Sequence, residues 1–502
     1  MLKNIFITIL LICSVSGVWG QKSVKVKVSG NVITTDGVPA EFINIQLKNT
    51  FYGGTSDGKG YFEFMAPAGQ YTMIVQSIAA HRREFPVTIE EGKENHFADI
   101  EIRENINQLE QVVVTGQFSP QSMRNSLYKV RTVNSEQIRQ KAPTSVQSLL
   151  NTEIGIRLSN DMALGETDFE LMGMSGNNVK ILLDGIPLID RGATKQSLSQ
   201  LDVNSIERVE IVEGPMSVVY GTDALAGVIN IITKKGDGYS EENTWRVGAR
   251  VQEESMGKEY DFFKDKGLHN ESIDLGFNHK SGLFVNGGYT RNNHGGWQGD
   301  LTGREKRWHP KDQALMNGMF GFQNRNMNVW YRLDFLDEKI FGPNNGSELQ
   351  PEKVSDKDFL TKRYTHQLQS DWKLDNRLDV HAALSYQDYK RRTRTTESDL
   401  STGEKWLSSA EASQDITQYK AWIARATVAW NIAPEFSVQP GVEYQWTQGE
   451  GGRIDGTPKV SDLAFFLSAE YKPWEWLSLR PGVRTFIVAD YDAPIAIPSV
   501  LT

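Results

Sequence analysis

The chain reads as mainly β, in three parts: an N-terminal β-sandwich, a compact mixed α/β unit, and a partial antiparallel transmembrane β-barrel. Three observations lead there. Residues 21 to 103 hold short strands between regular turn signals, as a sandwich does. Residues 119 to 236 mix polar-capped helical stretches with β-branched strands. From 237 onward the strands are long and strictly two-periodic, with one apolar, aromatic face and one charged face.

The sandwich opens with Val24, Val26 and Val28 alternating with Lys25, Lys27 and Ser29. Phe42 to Leu47, Tyr61 to Phe64 and Tyr71 to Val75 follow, separated by the turn clusters Thr55 to Gly60 and Pro67 to Gly69. Val87, Ile89 and Ile100 to Ile102 close the set. Asp57-Gly58-Lys59-Gly60 lacks the later oxygen ligands of a calcium loop and reads as a plain turn. After a polar stretch, Arg103 to Gln108, comes Leu109-Glu110-Gln111-Val112-Val113-Val114-Thr115-Gly116. Three consecutive valines favour an extended chain. Two readings stand: one more strand of the sandwich, or a segment that adds as a strand to the sheet of another protein.

The mixed unit carries helical signals at Asn134 to Ile138 and Thr144 to Leu150. Val179 to Leu183 is a strand that ends in the turn Asp184-Gly185-Ile186-Pro187. Ile206 to Val212 and Val228 to Ile232 are the strongest strands. Between them, Glu213-Gly214-Pro215 breaks the first, because Pro fixes φ and removes a donor. Tyr220-Gly221 to Gly227 then forms a loop of mostly small residues that lets the backbone lie close against a neighbour.

In the last part, Met327, Val329, Tyr331, Leu333 and Phe335 oppose Asn328, Arg332 and Asp334. Trp422, Ala424, Ala426, Val428 and Trp430 form another apolar set. Asp337 to Arg363 and Trp446 to Lys459 read as long polar loops, while Asn431 to Pro434 and Lys472 to Glu475 are short turns. Long outer loops and short inner turns are the barrel rule.

Composition bounds the rest. The 502 residues exceed one ordinary domain, and the net charge of −9 argues against a nucleic-acid partner. Mean hydropathy is −0.44, which a barrel tolerates because only alternate residues need be apolar. Residues 1 to 20 read as a secretory signal: Lys3, the apolar run Ile5 to Val15, then Val18 and Gly20 before Gln21. The single cysteine, Cys13, lies inside it, so the mature chain is expected to carry no disulfide and no cysteine–metal site.

Two resemblances add to this reading. Val28 to Val32, Glu41 to Leu47 and Ser56 to Phe62 resemble the carboxypeptidase-regulatory-like domain. Val112 to Gly116, Ile181 to Pro187 and Val209 to Lys235 resemble, in that order, the TonB box and plug domain of TonB-dependent outer-membrane receptors. The resemblance implies a TonB box at Gln111, Val112, Val113, Val114, Thr115 and Gly116. It implies plug-motif residues at Asp184, Gly185, Pro187, Glu213, Gly214, Pro215, Tyr220, Gly221, Gly227 and Asn230. One departure stands out: Met172-Gly173 occupies the place of an Arg-Gly whose arginine would pair with barrel carboxylates.

The domains are then expected at 1–20 (signal), 21–103 (sandwich), 104–118 (linker with TonB box), 119–236 (plug) and 237–502 (the N-terminal half of a barrel). About 11 strands fit after the plug. A plugged transporter has about 22, so the chain is expected to be a fragment.

The expected function is active uptake of a scarce ligand, a ferric siderophore or a cobalamin-like compound. TonB and its inner-membrane energising complex, outer-membrane lipid and the ligand would be the partners. Residues 182 to 187 look less like the SusC-like branch, which imports glycans or peptides. A receptor signalling through its N-terminal domain is another reading. A secreted adhesion or scaffold protein of β-sandwiches is the alternative of another class, and residues 179 to 235 speak against it. No H-E-x-x-H, G-x-S-x-G or Walker A pattern occurs, so no catalytic residue, metal site or cofactor is expected. Ligand-contacting residues are not readable from the sequence.

Overall fold

In a computed structural model, residues 25–501 are described. The exceptions are 35–36, 38, 78–79, 103–111, 114, 116–120, 123–127, 162–165, 191–195, 222, 237–241, 376, 434, 452–453, 455, 475–476 and 489–498. The secretory signal, most of the linker, and Gln111, Val114 and Gly116 therefore lie outside the described residues.

The chain divides into two compact units, 1–112 and 113–502. The first holds β1 (Lys25–Thr34), β2 (Asn44–Leu47), β3 (Gly53–Thr55), β4 (Tyr61–Pro67), β5 (Gly69–Ser77), β6 (Ala80–Ile89) and β7 (Asn95–Ile102). They form two sheets, ordered β4-β1-β7 and β3-β2-β5-β6. Alternate residues of both meet in one apolar core that includes Val28, Val32, Ile45, Leu47, Phe62, Met73 and Val75. Asp57 is a plain turn: its Oδ1 accepts from the Lys59 and Tyr61 amides at 2.8 and 3.0 Å.

A two-stranded pair follows, β8 (Val112–Val113) with β9 (Gln121–Ser122). The valine segment therefore joins neither sandwich sheet. Next come β10 (Lys129–Asn134), helices α1 (Ser135–Lys141) and α2 (Val146–Leu150), and the small sheet β11 (Ile156–Asp161), β12 (Glu166–Leu171) and β13 (Met174–Ser175). Both helices begin at capping boxes, Asn134 with Gln137 and Ser145 with Ser148.

The unit's central sheet adds β14 (Val179–Leu183), β15 (Ile186–Pro187), β16 (Ile206–Glu213) and β17 (Gly227–Thr233), in the order β10-β16-β17-β14-β15. β17 is antiparallel to β16 and parallel to β14. Every residue of β17 is buried, as a strand rich in Val and Ile is when both faces are covered; polar Asn230 interrupts the run at its centre. A one-turn helix α3 (Ser217–Tyr220) sits inside what the sequence suggests is a plain loop.

The wall begins at β18 (Thr244–Glu254) and continues through β19 (Leu268–Asn278), β20 (Leu283–His294), β21 (Lys311–Gln323) and β22 (Met327–Gly342). β23 (Lys353–Lys373), β24 (Leu378–Asp399), β25 (Lys405–Leu407), β26 (Ile416–Ala433) and β27 (Phe436–Gly451) come next. β28 (Lys459–Trp474), β29 (Leu477–Val488) and β30 (Ser499–Leu501) follow. Neighbours in sequence pair antiparallel, except that short β25 folds back on β24 and β26 takes the next place.

The sheet is inside out. Trp245, Leu275, Phe320, Leu368, Trp422, Phe465 and Ile487 are exposed, while Gln313, Arg332, Arg363, Gln367, Gln387, Arg425 and Arg484 are buried. Water would penalise such a surface; lipid outside and a filled lumen satisfy it. Of the two expected loops, 337–363 is largely strand and 446–459 is strand over half its length. Only 343–352 and 452–458 separate β22 from β23 and β27 from β28. β24, at 22 residues, far exceeds the roughly 9–11 needed to cross a bilayer. The excess residues continue the same ladder, with Lys390 to Asp399 paired to Lys362 to Lys353. The polar ends of β22, β23 and β27 are what read as loop in the sequence.

Candidate functional site

The candidate site is the seam between the central sheet unit and the wall, together with the segment that leads into it. The Asp184-Gly185 turn anchors it. The two residues have φ of 49° and 84°, the left-handed pair that a two-residue hairpin between β14 and β15 demands, and Asp-Gly suits that geometry. Asp184 is buried. Its carboxylate accepts from the Thr233 amide (3.0 Å) and hydroxyl (2.7 Å), and Lys235 Nζ lies 3.5 Å away. The turn is thereby fastened to the end of β17.

Wall glutamines hold the backbone on either side of this turn. Gln367 donates to the Leu183 carbonyl at 3.2 Å and Gln369 to the Asp184 carbonyl at 2.9 Å. Gln387 donates to the Pro187 carbonyl at 2.7 Å and accepts from the Ile189 amide at 3.0 Å. Neutral amides satisfy buried backbone groups without the desolvation cost of a charge. Ile186 packs with Ala383 and Ile423 of the wall.

A second contact lies at α3. Glu443 on β27 bridges two buried guanidiniums, Arg425 (2.7 Å) and Arg484 (2.6 Å). Arg484 also donates to the Val218 and Val219 carbonyls at 3.4 and 3.3 Å, capping the C-terminal end of a helix that has no other wall partner for those groups among the described residues. Arg425 lies 5.1 Å over the Tyr220 ring. The positive charge here sits on the wall. Met172-Gly173, the expected Arg-Gly position, is the apex of the β12–β13 hairpin; the Met172 amide donates to the Gly155 carbonyl at 2.7 Å.

A third contact surrounds buried Asp202. Its carboxylate accepts from the Asn204 amide (3.0 Å), the Thr290 hydroxyl (2.9 Å) and the Asn317 amide (3.1 Å). Burial raises its carboxyl above the usual range, against those hydrogen bonds. Lys234 is pushed the other way by burial. Both line a cavity of about 20 Å³ between this unit and the wall.

The remaining sequence-predicted residues scaffold this arrangement. Glu213 pairs with Lys129 (2.7 Å) and Arg131 (2.9 Å) across β10. Gly214 (φ 99°) donates to Ala226 at 3.0 Å, and Pro215 completes the bend into α3. Gly221 ends α3 at φ 88°. Gly227 adopts φ 148°, and a Cβ there would stand 2.2 Å from the Val212 carbonyl. Its close neighbour is therefore β16, within the same unit, and not the wall. Asn230 is buried in mid-β17.

Of the valine segment, Val112 and Val113 lie in β8, and Thr115 is completely buried. Its amide donates to Glu210 at 2.8 Å, its hydroxyl donates to the same oxygen, and it accepts from Asn230 Nδ2 at 2.9 Å. The sequence suggests an extended segment open to a partner; the structure ties its end into the unit's core. Glu210, Gln367, Gln369 and Gln387, which sequence reasoning missed, are the groups that do the holding. Gln367, Gln369 and Gln387 lie on the polar side of wall strands, the one signal that could have found them. Among the described residues no cluster of three or more potential ligands for a metal is formed.

Comparison with known proteins fits this geometry. Residues 122–228 match the TonB-dependent Receptor Plug Domain family, and 28–114 match the CarboxypepD_reg-like domain. A vitamin B12 transporter of Vibrio vulnificus is 32% identical over 139 residues, 28% of this chain and 23% of that protein. Among solved structures, a mutant ferric enterobactin receptor of Pseudomonas aeruginosa aligns with TM-score 0.55 at 15% identity. The alignment covers 78% of this chain and 61% of that one. The ferric preacinetobactin receptor of Acinetobacter baumannii aligns with TM-score 0.53 at 12% identity, over 78% and 63%. At these identities the structures speak for the fold alone, and the chain spans about three fifths of their length. The fold and seam thus define a plug held against a β-barrel wall. Residues 122–228 are similar to the plug domain of TonB-dependent receptors, and a carboxypeptidase-regulatory-like domain precedes them at 28–114.

Proposed function

We propose that this protein sits in the outer membrane and takes up a scarce ligand, a ferric siderophore or a cobalamin-like compound. TonB supplies the energy by pairing with Val112 to Thr115 as an added strand. The observation that carries the reading is the Val-rich segment placed just ahead of a plug that the wall holds through hydrogen bonds to backbone carbonyls. Such bonds break and re-form when the plug is pulled, with no covalent change. The protein's similarity to a vitamin B12 transporter and to ferric siderophore receptors supports the ligand class. Export through a cleaved signal at residues 1–20 and a periplasmic sandwich belong to the same proposal.

The test is accumulation of labelled ferric siderophores and cobalamin by cells that express the gene, with and without TonB. TonB-dependent accumulation of one of them is expected. Binding without TonB-dependent accumulation would refute the transport reading.

A further inference from the structure

We propose that Thr115 is a latch on the coupling segment, and that a one-way chain of hydrogen bonds ties this latch to the barrel wall. The idea rests on the reading of Val112 to Thr115 as the coupling segment. The chain starts on β23, where Gln369 donates to the Asp184 carbonyl (2.9 Å). That carbonyl and the Gly185 N–H belong to one planar peptide group. The Gly185 N–H donates to Asn230 Oδ1 (2.9 Å), and the other end of the same side-chain amide, Nδ2, donates to Thr115 Oγ1 (2.9 Å). The Thr115 hydroxyl then donates to Glu210, which also accepts the Thr115 amide at 2.8 Å. Arg208 Nε holds the other Glu210 oxygen at 2.9 Å.

Every donor in this series points the same way, and the series ends on a carboxylate. Aligned hydrogen bonds polarise one another in a low dielectric, and bonds to an ionised acceptor are the strong ones. Thr115, Glu210, Asn230, Asp184 and Gln369 are all buried. Gly185, in the middle of the series, is half-buried; at the other links water cannot replace a broken bond, and losing one leaves buried groups unpaired. It follows that the Asp184-Gly185 turn leaving Gln369, and Thr115 leaving Glu210, are coupled events. Disturbance at the wall reaches the coupling segment through one peptide group and one asparagine.

Amide hydrogen exchange on the intact protein in detergent micelles, read by mass spectrometry without TonB, tests this. Gln369→Ala lies in the wall, outside the plug fold. It should raise exchange at Thr115 on the order of tenfold, the loss expected for a weakened bond to a charged group. Gln387→Ala is the control, because Gln387 holds the Pro187 and Ile189 backbone nearby but lies off the chain. It should leave Thr115 at the wild-type rate. Thr115→Val should raise exchange across the segment, and Thr115→Ser, which keeps the hydroxyl, should restore it. Unchanged exchange at Thr115 in Gln369→Ala, or equal acceleration in Gln387→Ala, would overturn the coupling. Adding an isolated TonB periplasmic domain separates the two ideas. A segment released as described that still fails to bind TonB leaves the latch standing and refutes the coupling-segment reading.

Discussion

Glu443→Ala is the sharpest test of how the wall holds the plug. The substitution removes the carboxylate between Arg425 and Arg484, whose side chains are only 6% and 2% exposed. Breaking a buried pair from one side typically costs about 3–5 kcal/mol, because an unpaired charge stays buried. Here two charges lose their partner. Neither charge is left bare, which holds the cost at the low end of that range: Arg425 keeps the Tyr220 and Phe466 rings, and Arg484 keeps the Phe466 and Phe486 rings and two α3 carbonyls. Cation–π contacts contribute about 0.5–2 kcal/mol each. A net cost of about 3 kcal/mol remains, equal to roughly a 100-fold shift in the opening equilibrium. The assay is hydrogen exchange at Tyr220 and Gly221, whose amides bond to Met216 and Ser217 at 2.9 Å. Exchange there should rise by that factor while the β22–β24 ladder stays protected. Exchange within twofold of wild type would refute the claim that this cluster clamps α3.

Two further predictions address the plug itself. Gly227→Ala should destabilise the plug by about 3 kcal/mol or more, measured by denaturant titration, since a Cβ 2.2 Å from the Val212 carbonyl forces β16 and β17 apart; a loss under about 1 kcal/mol would contradict the packing. Asp202→Asn should change the pH dependence of thermal stability. The folded-state pKa of Asp202 is raised, so folding binds its proton more tightly than the unfolded chain does. That contribution is complete below the unfolded value of about 3.9 and is lost as pH rises through the folded one. The neutral variant should be the more stable protein at pH 7 and converge with wild type toward acid pH. A gap that does not change with pH would contradict the assignment.

Which parts were legible in the sequence follows from how local their causes are. The Asp184-Gly185 turn, the two short polar-capped helices and the strand at Val228 to Ile232 are written in neighbouring residues, and all three appear where expected. The inside-out wall was equally readable, because two-residue alternation is itself local. The short helix α3 was hidden: Ser217 to Tyr220 is too β-branched to signal a helix, and bonds to Met216 and the Arg484 cap hold it. The polar outer ends of β22 and β27 were hidden for the opposite reason, since ladder pairing there does not need an apolar face. The buried setting of Thr115 was the least legible feature. Nothing near it announces that Glu210 and Asn230, on two later strands, will close over it. Gln367 and Gln369 were likewise indistinguishable from any lumen-facing polar residue until the turn was seated against them.

The central claim is that TonB engages this chain through the segment ending at Thr115. The most direct measurement is binding of a purified TonB periplasmic domain to wild type and to Val113→Pro, which deletes one strand donor and restricts the backbone. The account predicts that wild type binds and that Val113→Pro loses at least about tenfold in affinity with ligand binding unchanged. Equal TonB affinity for the two proteins would contradict it.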